Sequence, residues 1–466
     1  MASPLRQLFA RQPLSWTPPD EDQPRLRRAL GWPALTAIGL GTMLGGIFPT
    51  IGAGAHAAGP AVILAYVLSG LVSVCVALCY AEFASMVPVA GSAYTYAYAT
   101  LGELVAWIIG WDLILEYGLS VAPTASSWSD YFQHLLGNIG IHLPYWAQTA
   151  APLGAHFQVD IPAALVTLAI TVLVTIGIRE SASVNGALVI VQIVSMLVFV
   201  AIVAHAVKPE LLHPFAPHGW HGIVASSALV FFAYIGFDTV TVASEEAHHP
   251  ERNVPIGIIV ALAIGGLLYV VLTICTVGVM PYMKLSEGAA MLDAYGNVSN
   301  NQVFYWIVAL GGIAGNTTVM LTSLLGQIRI FYVMARDRLL PPGVARVHPR
   351  FRTPARMTAI TGTIVAVFAA LFPLSDLLTL VNIGTLAAFA IVCIGVLVLR
   401  YVAPDVPRPF RAPLVPVFSI AGAAVCLYLI SGLELATWVR YGIWFVVGIL
   451  VYAFYGFHRS QLKPRS

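Results

Sequence analysis

Apolar runs of about 20 residues recur along this chain, each long enough to cross the roughly 30 Å hydrocarbon core of a bilayer as a helix. They fall near 33–56, 60–83, 102–127, 161–178, 185–207, 221–243, 254–280, 304–334, 356–373, 377–402, 412–432 and 440–457. The runs are too long and too continuously apolar for barrel strands, and a helix is the open structure that satisfies its own backbone in lipid. The expected fold class is an all-α polytopic membrane protein with twelve transmembrane helices. Only 9% of the residues are charged and 59% are hydrophobic. A soluble domain carries about 25% charged residues, so much of this surface is expected to face the lipid bilayer. A net charge of +2 gives no basis for nucleic-acid binding.

Lys and Arg set the orientation. With both termini placed inside, all of the 23 basic residues except Lys208, Lys284 and Arg440 fall on the inner side. The positive-inside rule then selects one topology, with both termini cytoplasmic, and a multi-pass cell (inner or plasma) membrane location is expected. Residues 1–31 are polar and Arg-rich without an apolar h-region, and read as a cytoplasmic tail. The outer loop at 128–160 has no Lys or Arg, and its Trp128, Tyr131, Tyr145 and Trp146 suit an interfacial aromatic belt. The stretch from Tyr80 to Leu101 is expected to continue the second helix inward and then turn along the inner face. The cysteines at 75, 79, 275, 393 and 426 lie in apolar runs without metal spacing and read as reduced core residues. His205, His213, His218 and His221 are spread along a loop, and no metal or other cofactor is expected.

Two of the spans are interrupted. The first contains Gly39, Gly41, Gly45, Gly46 and Pro49 within eleven residues, which opposes a continuous helix. The sixth contains Phe231 through Gly236 to Asp238, with a glycine at its centre and an acid just after it. The breaks stand five helices apart, at corresponding positions of two five-helix halves, the arrangement that points to a transporter site between inverted repeats. A broken helix exposes N–H groups of partial positive charge and C=O groups of partial negative charge, and an amino acid zwitterion needs both. The bland alternative is that the small residues only permit close helix packing.

Polar residues inside the spans are costly and usually face a cavity or a partner. Asp112 and Glu116 lie one turn apart in the third span. Glu116 could hold a substrate ammonium group or make a structural hydrogen bond, and Asp112 is assigned no role. Asp238 is read as a cap on the second half-helix. One of Phe231 and Phe232 could close over a bound solute while the other packs. In the eighth span Asn316, Thr317, Thr318 and Ser323 form a polar face that either lines the cavity or bonds back to its own helix.

The stretch Tyr80-Ala81-Glu82-Phe83-Ala84-Ser85-Met86-Val87-Pro88-Val89-Ala90-Gly91-Ser92-Ala93-Tyr94-Thr95-Tyr96, continuing through Gly102-Glu103-Leu104 to Gly110-Trp111-Asp112 and Glu116-Tyr117, closely resembles bacterial and animal cationic amino acid transporters of the amino acid–polyamine–organocation superfamily. Phe231 to Asp238, Glu245-Glu246 through Pro250 to Pro255, and Gly326-Gln327 through Arg336-Asp337 to Pro341 extend the resemblance over the chain past its N-terminal tail. It implies the leucine-transporter fold: a 5+5 inverted repeat at 32–207 and 208–402, then two further helices and a tail at 403–466. It implies Thr42, Gly45 and Gly46 on the substrate carboxylate side, and the backbone around Phe232, Ala233 and Ile235 on the ammonium side. Glu116 becomes a site residue and Phe232 the gate. The family's Gly-x-Gly-Ile-Phe is shortened here to Gly45-Gly46-Ile47-Phe48, and its proton-coupling lysine in the fifth helix is replaced by Gln192. A glutamine does not titrate, so proton coupling through this position is not expected, which leaves an exchanger, a facilitator, or coupling elsewhere, for example through Glu116.

The expected function is a secondary active amino acid transporter working by alternating access, as a monomer or weak oligomer, with a polyamine or other organocation transporter and a non-transporting amino acid sensor as alternatives. An intramembrane enzyme would need paired aspartates or a His-Glu-x-x-His helix, and ATP use a Walker A loop. The chain carries neither signature, so no enzyme is expected.

Overall fold

The computed structural model describes residues 8–11, 30–86, 92–150, 158–176, 181–242, 247–349 and 353–461. Most of the N-terminal tail lies outside that set, as do Arg179, Glu180, Glu245, Glu246 and residues 87–91. Among the described residues the protein is helical, and Leu30 and Ala247 form an isolated bridge.

Helix α1 (Trp32–Met43) passes into a 3-10 turn at Leu44–Ile47, and α2 (Ile51–Ala58) resumes beyond it. Gly59, at φ +65°, then turns the chain into α3 (Val62–Met86). Next come α4 (Ser92–Thr100), α5 (Glu103–Leu119), α6 (Val121–Asn138), α7 (Ile161–Ile176) and α8 (Ser181–Val203). The second half opens with α9 (Gly219–Val230), a 3-10 turn at Phe231–Tyr234 and the short α10 (Thr239–Val242). It continues through α11 (Pro250–Val277), α12 (Ala290–Val298), α13 (Gln302–Arg336), α14 (Ala355–Leu371), α15 (Leu374–Val402), α16 (Val415–Ser431) and α17 (Leu435–Val451). Among the described residues, eight helical segments are long and apolar enough to cross a membrane, and four shorter apolar helices accompany them.

On α14 the outward face carries large apolar residues and the inward face mostly small ones. Ile360, Ile364, Val367 and Leu371 follow helical spacing and are all exposed. The opposite face carries Gly362, where an added methyl would stand 2.0 Å from the Thr171 hydroxyl of α7. Small residues let these backbones approach where lipid offers no hydrophobic drive. At the end of α3, Glu82 takes paired hydrogen bonds from Arg400 (2.8 and 2.7 Å) and one from the Ala412 N–H (2.9 Å). The Arg408 guanidinium lies 3.4 Å away, so a buried ion cluster ties α3 to α15 and the chain that follows it.

One sequence expectation needs correction, the outer loop expected to begin at residue 128. The third apolar run forms one span, Glu103–Asn138, with a kink inside it. Pro123 offers no N–H to the Leu119 carbonyl one turn back, and the helix gives way at Ser120. The second piece then runs on to Asn138, so Trp128 and Tyr131 are helical rather than in a loop. Tyr131 is fully buried, its ring edge-on to Phe48 at 5.6 Å, and cannot serve an interfacial belt. Tyr145 and Trp146 are exposed.

Candidate functional site

The two interrupted segments meet at the centre of the molecule. Gly46 approaches so closely that an added methyl would lie 2.9 Å from the Ala233 α-carbon and 3.2 Å from the Phe232 carbonyl oxygen. The hydroxyls of Thr42 and Thr239 stand 2.9 Å apart and converge on the Gly236 carbonyl at 3.0 and 2.6 Å. Gly236 has φ +113°, a conformation that only glycine adopts without strain, and it turns the chain after Ile235 into α10.

Interrupting a helix leaves carbonyls without amide partners, and the surrounding helices supply donors. Thr50 donates within reach of the Gly46 carbonyl at 2.8 Å. The Asn382 side-chain amide of α15 donates to Ala228 and Leu229 at 2.7 and 2.9 Å, closing the end of α9. The Tyr269 hydroxyl of α11 reaches the carbonyls of Met43 and Ala233, one from each break.

Between the breaks lies a narrow cavity. Thr42 and Gly46 line it from the first break, and Phe232, Ile235, Gly236 and Thr239 from the second. Glu116, Tyr117 and Ser120 close it from α5 and its kink, and Val319, Thr322 and Ser323 from α13. Its polar groups are hydroxyls and one carboxylate, with no Lys, Arg or His among them. Glu116 is 1% exposed. The Thr385 side chain is its polar neighbour, but that hydroxyl points at the Val381 carbonyl of its own helix (3.2 Å), and neither carboxylate oxygen has a settled donor. A buried carboxylate so placed can receive a donor from a bound solute. Tyr117 donates instead to Asp238 at 2.8 Å, which joins α5 to the chain entering α10.

Of the residues expected at the site, Thr42, Gly46, Glu116, Phe232 and Ile235 line this cavity together. Gly45 does not. Its α-carbon faces the Val319 side chain and the Gly315 carbonyl, so it sets the packing of the first break on α13. Ala233 is turned toward Gly46 and gives its carbonyl to Tyr269. Phe231 packs edge-on to Phe389 at 5.9 Å, leaving Phe232 as the ring at the cavity. In the eighth span Ser323 faces the cavity, Asn316 donates to Ser127 at 3.0 Å, and Thr317 and Thr318 bond back to Ile313 and Ala314. Asp112 accepts from Tyr441 at 3.0 Å, away from the cavity. Gln192 is fully buried on α8 behind the first break, with its amide oxygen against Gly315 and no hydrogen-bond partner on either amide atom. The reading from sequence missed Tyr117, Ser120, Thr239, Val319 and Thr322. Pro123 was the available signal for Ser120, because it marks the kink that brings that residue to the cavity.

Comparison with known proteins gives the family to which the chain belongs. The amino acid permease family matches residues 30–456. The methylthioribose transporter of Bacillus subtilis is 43% identical over 98% of this chain and 100% of its own length. The branched-chain amino acid permease BcaP of the same organism is 43% identical over 94% of this chain and 95% of its own. The vacuolar cationic amino acid transporter 4 of Arabidopsis thaliana is 37% identical, covering 82% of this chain and 64% of the relative. With its helices long and apolar enough to span a bilayer, the chain belongs to the amino acid permease family, within the amino acid–polyamine–organocation superfamily.

Proposed function

We propose that this protein is a secondary transporter that carries a small zwitterionic amino acid by alternating access. The observation that carries the reading is that residues from both interrupted helices, with Glu116 between them, line one cavity. The solute carboxylate would face the first break at Thr42 and Gly46, with Gly45 holding the backbone behind them. Its ammonium group would face Glu116 and the second break at Phe232, Ala233 and Ile235. Phe232 would be the gate. The proposal includes twelve spans in a 5+5 inverted repeat, with repeats at 32–207 and 208–402, and both termini cytoplasmic.

The apolar part of the lining, Phe232, Ile235 and Val319, suits an aliphatic side chain better than a second positive charge. This favours a neutral substrate over the cationic preference that the sequence resemblance suggests, and the branched-chain relative is consistent with it. Gln192 cannot take up or release a proton near neutral pH, so exchange of one amino acid for another is the coupling favoured.

A second reading rests on the hydroxyl groups. Thr42, Ser120, Thr239, Thr322 and Ser323 surround a single acid, a lining that also suits a polyhydroxylated, uncharged solute. The methylthioribose transporter aligned along its full length points the same way. Uptake into proteoliposomes separates the two. Radiolabelled leucine, arginine, putrescine and methylthioribose are each offered with an inward proton gradient, and separately with unlabelled solute inside. Leucine uptake that appears only with preloading supports the exchanger. Methylthioribose uptake alone supports the second reading. Gradient-driven uptake overturns the argument from Gln192, and no flux of any of the four overturns the transport reading.

A further inference from the structure

The chain that leaves α13 and enters α14 is strongly basic. From Arg329 to Arg356 the sequence holds seven arginines and His348 against a single acid, Asp337. That acid is already engaged. Asp337 is 2% exposed, accepts from the Tyr94 hydroxyl at 2.8 Å and lies 3.6 Å from the Arg336 guanidinium. Arg338, Arg346 and Arg356 are exposed and make no ion pair among the described residues. Arg329 is exposed as well, on α13 about 10 Å short of its end, a depth from which an arginine side chain reaches the level of lipid headgroups. Arg350 and Arg352 lie outside the described residues.

The basic end continues into an apolar surface. Arg356 stands one turn before Ile360 and two before Ile364, on the exposed stripe of α14 that goes on to Val367 and Leu371. Helix α7 packs on α14 and exposes Leu168, Val172 and Ile176. The Thr353 hydroxyl donates to the Thr175 carbonyl at 2.6 Å, which holds the end of the basic loop against the last turn of α7.

Unpaired positive charge at one end of a long apolar face fits an amphiphile of opposite charge. A soluble anion would use only the arginines and leave the apolar face unexplained. A zwitterionic headgroup brings its own ammonium group, which these arginines repel, whereas a headgroup of net negative charge does not. We propose that the loop between α13 and α14, with the adjoining faces of α14 and α7, binds an anionic phospholipid. The phosphate lies among Arg338, Arg346 and Arg356, and the acyl chains run along α14 and α7. In the orientation proposed above the site is in the cytoplasmic leaflet, but the binding does not depend on that orientation.

The test uses the full chain in detergent micelles, titrated with phosphatidylglycerol or phosphatidylcholine of identical acyl chains and read by native mass spectrometry. Phosphatidylglycerol should bind more tightly. Each arginine near a membrane surface is worth about fivefold in affinity for anionic lipid, so Arg338→Gln, Arg346→Gln and Arg356→Gln together should weaken phosphatidylglycerol by about 100-fold and leave phosphatidylcholine unchanged. Lysine at the same three positions keeps the charge and should keep the preference, which separates lost charge from a disturbed fold. Lys284→Gln removes an exposed charge between α11 and α12 and should change neither lipid. Equal affinity of the wild type for the two lipids overturns the proposal, and so does a glutamine variant that prefers phosphatidylglycerol as before. If the glutamine variant does not fold, the wild type and the lysine variant decide, and loss of the preference with lysine overturns it. Displacement of phosphatidylglycerol by inorganic phosphate at constant ionic strength would make this a site for a free anion and overturn the lipid assignment.

Discussion

The Tyr269 hydroxyl lies 2.6 Å from the main-chain carbonyl of Met43, the last residue of α1 before the first break. The same oxygen is 2.8 Å from the Ala233 carbonyl in the second break. One phenol carries one proton, so it donates to one of the two carbonyls at a time. Tyr269 thus couples the two interrupted segments through a bond that can change partner as they move.

Tyr269→Phe should therefore cost stability and transport together. The aromatic packing on Tyr66 and Tyr234 survives, but both carbonyls lose the hydroxyl. Leaving a buried acceptor without its donor costs about 1–3 kcal/mol. Thermal unfolding in detergent should show that loss, and the maximal uptake rate should fall more than the apparent affinity. A Phe variant with unchanged melting and rate would show that the hydroxyl contributes nothing.

Glu116 predicts a trade between stability and function. A carboxylate buried without a settled donor destabilises the empty protein, and its amide isostere removes that charge. Glu116→Gln should melt at the same temperature or higher. If the acid receives a substrate donor, the variant loses a charge-assisted hydrogen bond of about 1.5–3 kcal/mol, or about 10- to 100-fold in apparent affinity. Equal affinity in wild type and variant would remove Glu116 from the binding site.

The all-helical, membrane-spanning character was legible because lipid leaves few choices: long apolar runs must be helices, and Gly-rich interruptions at Gly45-Gly46 and Gly236 must be stabilised from outside the helix. The meeting of the two breaks was legible for the same reason. The donors that stabilise them were not. Asn382 and Tyr269 sit in ordinary apolar runs, and their service to Ala228, Met43 and Ala233 depends on tertiary placement. The polar face of the eighth span divided for a local reason. Thr317 and Thr318 can satisfy themselves on the preceding turn, while Asn316 cannot and reaches Ser127 instead. Tyr131 was misplaced because nothing in its own composition shows that Phe48 would cover it.

The glycines of the first break offer a steric test with an internal control. Gly46→Ala would set a methyl 2.9 Å from one backbone atom and 3.2 Å from another, and backbone does not yield as a side chain does. Gly186 lies within α8 with nothing inside 4 Å of an added methyl. Gly186→Ala should gain about 0.5–1 kcal/mol from reduced unfolded-chain entropy and transport normally. Gly46→Ala should lose uptake and lower the melting temperature. Normal transport by Gly46→Ala would mean that the two breaks need not touch.

Outside the spans, Asp293 on α12 predicts a pH dependence whose sign is fixed. Burial pushes its carboxyl up, but hydrogen bonds from His134 (3.0 Å) and from the Ser286 N–H and hydroxyl (2.7 and 2.6 Å) outweigh it and hold the group below its ordinary value of 3.8. A carboxyl depressed in the folded state contributes stability that is present above its unfolded pKa and lost as pH falls through the folded one. Nearby Glu287 works in the opposite sense. Burial raises it, so its contribution is present at low pH and fades as pH rises. The two are separated by comparing wild type with Asp293→Asn. The variant should be less stable at neutral pH by about 2 kcal/mol, the scale of hydrogen bonds to a charged group. That gap should close as the pH is taken below the ordinary carboxyl range, in unfolding midpoints measured in detergent. A gap independent of pH would show that the His134 and Ser286 contacts do not depend on the carboxylate charge.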